Sequence, residues 1–188
     1  MGAPKIARAE AIKRIALVFR KYGYDGTTLS LISKTTGLGR ASLYHHFPGG
    51  KEEIAREVFR VTGQQVYELV IAPLKREGTP KERLGEWVKG VDHFYAKGRN
   101  NCLLGTMVLS GGLNRFPDII EEAFQAWIEA LTHTLVDAGL DEAEACERAR
   151  SAVARIQGAL IVSRGLGNED HFQKTLKILP DQLLEGFK

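Results

Sequence analysis

The sequence predicts an all-α chain of about nine helices, a three-helix N-terminal head followed by a larger helical body. Apolar residues recur at intervals of three and four along most of its length. No run shows sustained two-residue alternation bounded by hairpin turns. Start and stop residues, with Thr or Asp before a periodic stretch and Gly or Pro after it, divide the chain into segments of helix length. With 188 residues, 44% of them hydrophobic, it can bury a substantial core in one or two domains.

Taken in order, Ala9, Ile12, Ala16 and Phe19 mark an amphipathic helix from about Pro4 to Tyr22. Gly23-Tyr24-Asp25-Gly26 turns the chain, and Tyr22 and Tyr24 read as packing residues. A short helix from Leu29 to Thr36 follows. Thr28 is its N-cap, because a hydroxyl there accepts a backbone N–H that the first turn leaves free, Leu29 and Ile32 form its inner side, and Gly37 ends it. The next helix starts near Arg40 and stops at Phe47, since Pro48 cannot continue it and Gly49-Gly50 frees the backbone.

Glu52 and Glu53 open a long helix that carries Ile54, Val58, Val61, Val66 and Leu69 before Pro73, with Lys51 and the free backbone N–H groups of its first turn aimed at a phosphate. Thr79-Pro80-Lys81-Glu82 has the cap, the first-position proline and the third-position glutamate of a helix start. Its stripe is Leu84, Trp87/Val88, Val91 and Phe94/Tyr95, and Lys97 to Asn101 breaks it. A short helix spans about Cys102 to Leu109, and Pro117 opens a longer one that Gly139 ends. Asp141 and Glu144 cap a helix to about Arg164. A last helix from Asn168 or Asp170 reaches Ile178, and Pro180 separates it from a final turn ending near Phe187.

Charge is distributed unevenly. Residues 1–51 hold nine Lys and Arg against Glu10 and Asp25, a net +7, which leaves −4 on the rest of a chain whose total is +3. A basic head on an acidic body suits nucleic acid. The second short helix fits that partner. At 100° per residue Arg40, Ala41, Tyr44 and His45 share one arc, while Leu43, His46 and Phe47 lie on the other. Arg forks onto guanine, Ala sits against a thymine methyl, and Tyr and His reach phosphates in a major groove.

The run from Thr27 to Lys51 resembles the DNA-binding domain of the TetR family of transcriptional repressors. Thr27-Thr28, Ile32, Gly37-Leu38, Leu43-Tyr44, His46-Phe47 and Lys51 stand where that family's pattern has them, and the likeness covers about Ile12 to Ile54. There are two departures. Gly39 replaces a common capping Ser, and Pro48-Gly49-Gly50 is one residue longer than the usual link. The run also resembles a branch whose members control drug-efflux genes.

The resemblance implies a head over residues 1–50 that contacts operator DNA through Thr27, Thr28, Gly39, Arg40, Ala41, Ser42, Tyr44, His45 and Lys51. It implies a body over 51–188 that binds a small-molecule effector and forms a homodimer. Trp87, Phe94, Met107, Phe124 and Trp127 are the candidate pocket residues, although for each one taken alone plain core packing explains its type and spacing better. For the dimer, Ala145, Ala149, Ala152, Ile156 and Ala159 give one helix a small apolar face that another helix can approach closely. By periodicity alone that face serves either a partner or the protomer's own core.

An enzyme is the competing class. Adjacent His45 and His46 point about 100° apart and cannot chelate one ion, and no HExxH, GxSxG, P-loop or GxGxxG is present. Cys102 opens a helix without an assignable base. No cofactor is expected. Cys102 and Cys146 lie far apart outside any CxxC, as expected of thiols in a reducing compartment. The charged stretch Lys5–Lys13 does not suit a signal peptide, and no segment approaches about 18 consecutive apolar residues. The expectation is a soluble, cytoplasmic protein without a membrane partner.

Overall fold

The computed structural model describes residues 7–186. The expected helix start at Pro4 and the end near Phe187 lie outside the described residues. Among these there are nine α-helices and no strand. They are α1 (Arg8–Gly26), α2 (Leu29–Thr36), α3 (Arg40–His46), α4 (Gly50–Val66), α5 (Pro80–Phe94), α6 (Leu103–Val108), α7 (Pro117–Asp137), α8 (Glu142–Leu166) and α9 (Asp170–Leu183). No described helix is long and apolar enough to cross a membrane.

The chain forms two compact units, Met1–Gln64 with Leu103–Ile120, and Gln65–Cys102 with Glu121–Lys188. In the first, Ala11, Ile12, Ile15, Val18 and Phe19 are buried, whereas Ala9 is exposed and Ala16 only half-buried, so the inner face of α1 runs beside the expected stripe. Gly23 breaks α1 with φ 65° and ψ −168°, a conformation that only glycine adopts without strain. Tyr24 turns inward to stack on Phe19 and meets the edge of Phe116, which in turn contacts Phe59. Tyr22 is 43% exposed, with the Lys21 ammonium over its ring, and so does not pack as expected.

Segment 103–120 joins this unit by backbone geometry. Tyr24 N–H donates to Ser110 Oγ at 2.8 Å, Asp25 N–H donates to the Ser110 carbonyl at 3.1 Å, and Ser110 Oγ donates to the Thr106 carbonyl at 2.7 Å. A Cβ at Gly23 would overlap the Ser110 side chain, so the glycine is needed for space as well as for φ.

The second unit begins with a departure from regular helix. After Val66 the chain widens into a π-turn, Tyr67–Ile71, and then tightens into a 3-10 turn, Ala72–Lys75. Pro73 explains the change, because it has no N–H to return to the Leu69 carbonyl four residues back. That carbonyl instead lies over Gly90 on α5, where a Cβ would collide with it. Thr79 and Glu82 form the expected capping box at the start of α5.

Leu84, Trp87 and Val91 are buried from α5 and Tyr95 from just past its end, as are Trp127, Leu131 and Leu135 from α7. Asp141 caps α8 through Ala143 and Glu144 N–H. α9 lays Phe172, Leu176, Leu179 and Leu183 inward, and Phe172 N–H donates to Ser163 Oγ at 2.9 Å. Pro180 does not interrupt α9, which runs on to Leu183. The buried Leu179 and Leu183 on either side hold the helix together through the missing N–H.

Candidate nucleic-acid interface

The turn between α2 and α3 is fixed by side chains from α2. Thr28 Oγ1 accepts from Leu31 N–H at 3.1 Å and caps the helix as the sequence predicts. At the other end Gly37 adopts φ 76°, the left-handed conformation that ends helices. Ser33 Oγ donates to the Leu38 carbonyl at 2.6 Å. Thr36 Oγ1 donates to the Ile32 carbonyl at 2.8 Å and accepts from Leu38 N–H at 3.2 Å. The angle between the helices is therefore set by short bonds within α2 and its turn.

α3 is anchored by Leu43 and Phe47, each 1% exposed, with the Arg8 guanidinium 5.4 Å over the Phe47 ring. Gly39, Arg40, Ala41, Ser42, Tyr44 and His45 are all exposed, and Thr28 is exposed beside them. His46, expected on the inner arc, is exposed too, its ring centre 5.5 Å from that of His45 and 6.3 Å from that of Phe47. Gly39 is the N-cap of α3 and supplies no side-chain bond. Arg40 Nη2 donates to Ser30 Oγ at 3.0 Å, a contact that the sequence did not announce.

Two candidates for DNA contact are engaged elsewhere. Thr27 is fully buried and its hydroxyl donates to the Gly23 carbonyl at 2.6 Å, so it closes the α1–α2 turn instead of facing outward. Lys51 is half-buried, with Nζ 3.0 Å from the Tyr24 carbonyl and 4.2 Å from the centre of its ring. Two N–H groups at the entry to α4 are engaged as well. Gly49 N–H donates to Glu53 Oε2 at 2.7 Å and Gly50 N–H to the Phe47 carbonyl at 2.9 Å. Burial, with Glu52 as the next contributor, raises the Tyr24 phenol above its ordinary value, so it stays neutral beneath Lys51.

The pocket candidates fall in both units. Trp87, Phe94, Phe124 and Trp127 belong to the second unit, and Met107 is fully buried in the first. Trp87 and Trp127 are 0% and 3% exposed, and their indole N–H groups have no hydrogen-bond partner among the described residues. A cavity of about 550 Å³ in the same unit is lined by Thr79, Pro80, Lys81, Asp137, Ala138, Asp181 and Leu184, none of them a pocket candidate.

The α8 face that the resemblance implied for the dimer is turned inward. Ala145, Ala149, Ala152, Ile156 and Ala159 are each at most 2% exposed within a single chain, sealed in its own core. Another face of α8 is open. Ser151, Ala154, Ile161 and Gly165 are exposed, with Gly158 between them, and a Cβ on either glycine would meet nothing within 4 Å. Val162, Leu166 and, on α9, Ile178 add exposed apolar surface.

Comparison with known proteins agrees with this architecture. Residues 12–58 match the family described as bacterial regulatory proteins, tetR family, and residues 84–177, half of the chain, match the C-terminal domain of LmrA/YxaF-like transcriptional regulators. The HTH-type transcriptional regulator LmrA of Bacillus subtilis is 24% identical over 181 residues, covering 94% of this chain and 96% of that protein. A 40-residue stretch, 21% of each chain, is 52% identical to IcaR of Staphylococcus epidermidis, a biofilm operon icaADBC HTH-type negative transcriptional regulator. A TetR transcriptional regulator from Legionella pneumophila has the same fold, with a TM-score of 0.81 at 19% identity over 96% of this chain and 99% of that one. These relatives are regulators, not enzymes. With both halves matched, the chain belongs to the TetR family of bacterial transcriptional regulators.

Proposed function

We propose that the chain is a homodimeric, ligand-responsive repressor, and that a small apolar or aromatic effector makes it release a palindromic operator. Residues 1–50 contact the DNA, and 51–188 bind the effector and the second copy. The observation that carries this reading is the outward arc of α3. Arg40, Ala41, Ser42, Tyr44 and His45 stand exposed over buried Leu43 and Phe47, at the end of the chain that holds the surplus positive charge. In the major groove Arg40 meets a guanine edge and Ala41 a thymine methyl, while Thr28, Ser42, Tyr44 and His45 take phosphates.

Pairing of two copies is supported by the open face of α8, where Ser151, Ala154, Gly158 and Gly165 allow close approach and Ile161 and Leu166 supply apolar area. Repression is supported by the name of the Staphylococcus relative, a negative regulator. An effector with a hydrogen-bond acceptor is supported by the buried, unpartnered indoles of Trp87 and Trp127. The head connects covalently to the second unit within α4, at Gln64–Gln65, and again on either side of 103–120. Release then requires that the effector bind the releasing form better by a few kcal/mol.

The test is selection of bound duplexes from a random pool with the purified full chain, followed by gel shifts at low ionic strength. A palindrome is expected, its half-sites one helical turn, about 34–36 Å, or a multiple apart. Absence of binding to any duplex ends the reading.

A further inference from the structure

We propose that Ser30 is a positioning residue for base readout, its hydroxyl holding the Arg40 guanidinium in the orientation that meets a base edge. The inference rests on α3 being the recognition helix. Arg40 opens α3 and Ser30 lies in the first turn of α2, ten residues earlier, yet Arg40 Nη2 donates to Ser30 Oγ at 3.0 Å. Both residues are exposed, so burial does not force the contact.

Ser30 itself is held in place, because the Thr28 cap accepts the N–H of Leu31 next to it. The Ser33 and Thr36 bonds fix the turn that sets the distance between α2 and α3. The main chain thus brings the two groups within bonding distance.

A guanidinium carries five N–H donors in a rigid plane, and a guanine edge needs two of them. One donor given to Ser30 leaves enough for the base and fixes the plane of the fork. A lone arginine on an exposed helix must give up rotamer freedom when it docks. The Ser30 bond makes that loss before DNA arrives, and makes it in one geometry. Base preference, more than overall affinity, is what such a bond changes.

The experiment uses the purified full chain as wild type, Ser30→Ala, Ser30→Thr, Arg40→Ala and the double variant Ser30→Ala/Arg40→Ala. Each is put through selection from random duplexes, then competition binding on the selected operator and its single-base variants, with thermal melting to verify folding. Ser30→Ala is expected to lower discrimination about three- to tenfold, the fold-change of one hydrogen bond, at the base pair where Arg40→Ala also lowers it. Ser30→Thr keeps the preference, and adding Ser30→Ala to Arg40→Ala changes nothing further.

An equal loss on every sequence overturns the proposal, since Ser30 then serves a phosphate. Independent, additive effects overturn it, as does an unchanged preference in Ser30→Ala or in Arg40→Ala. If the wild type binds no duplex, the DNA-binding reading itself fails, an outcome distinct from a wild type that selects and a Ser30→Ala that selects identically.

Discussion

The Ser110 hydroxyl accepts the backbone N–H of Tyr24 at 2.8 Å, joining residues 86 positions apart at the turn that leads into α2. Removing the hydroxyl strands a part-buried N–H, and Ser110→Ala should cost about 1–3 kcal/mol in urea unfolding. Gly23→Ala should cost at least as much, since its backbone conformation and the space beside it both exclude a methyl. Unfolding midpoints equal to wild type for both would show that this turn is not held from the 103–120 segment.

Arg40→Ala should weaken binding to the selected operator by about 1–3 kcal/mol and leave binding to random DNA nearly unchanged, measured by fluorescence anisotropy. Equal losses on both would remove Arg40 from base readout.

Lys51→Ala now carries a different expectation from that of a phosphate-contacting lysine. Its ammonium is bound to the Tyr24 carbonyl and ring, so truncation should lower the stability of the folded chain by about 1–2 kcal/mol. The slope of log affinity against log salt should fall by less than one full contact. An undiminished melting temperature with a full unit lost from the slope would return Lys51 to the phosphate backbone.

Ile161→Asp should turn a dimer into a monomer in sedimentation while leaving a cooperative thermal transition, because the residue is 66% exposed in the single chain. Ala152→Leu should do the opposite, damaging the protomer's fold through overpacking at a residue 1% exposed. Dimers that persist in Ile161→Asp would place the pairing surface elsewhere.

Hydrogen bonds from the Thr79 backbone N–H, then from its hydroxyl, hold the Glu82 carboxyl below its ordinary 4.5. Its folded-state value is depressed, so its contribution is present above pH 4.5 and is lost as pH falls through the folded value. Glu82→Gln should therefore melt below wild type at pH 7, and the difference should shrink as pH falls below 4.5. A difference constant from pH 7 to pH 3 would mean that the charge of Glu82 has no part in the cap.

Helix ends were legible wherever their chemistry is local. Thr28, Gly37, Thr79-Pro80 with Glu82, and Asp141 each satisfy backbone groups within a few residues, and each stands where the sequence predicts. The inner arc of α3 was legible through Leu43 and Phe47. The faces of α8 were not, because it carries small residues on two sides, Ala145 to Ala159 on one and Ser151 to Gly165 on the other. Periodicity does not say which side a chain keeps for its own core. The inward turn of Thr27 is illegible for a related reason: a hydroxyl before a helix serves an outward cap or an inward turn equally well, and the Gly23 carbonyl decides it. The Ser110 contact is a pairing across 86 residues that leaves no periodic trace.

The stretch around Leu69 ties two distant positions together. Pro73 leaves the Leu69 carbonyl without its helical donor, and Gly90 leaves room for that oxygen. A chain with any side chain at position 90 must swing the oxygen away, and one with an N–H restored at 73 draws it back into a regular turn. Substitutions at 73 and 90 therefore act on the same oxygen and are interdependent.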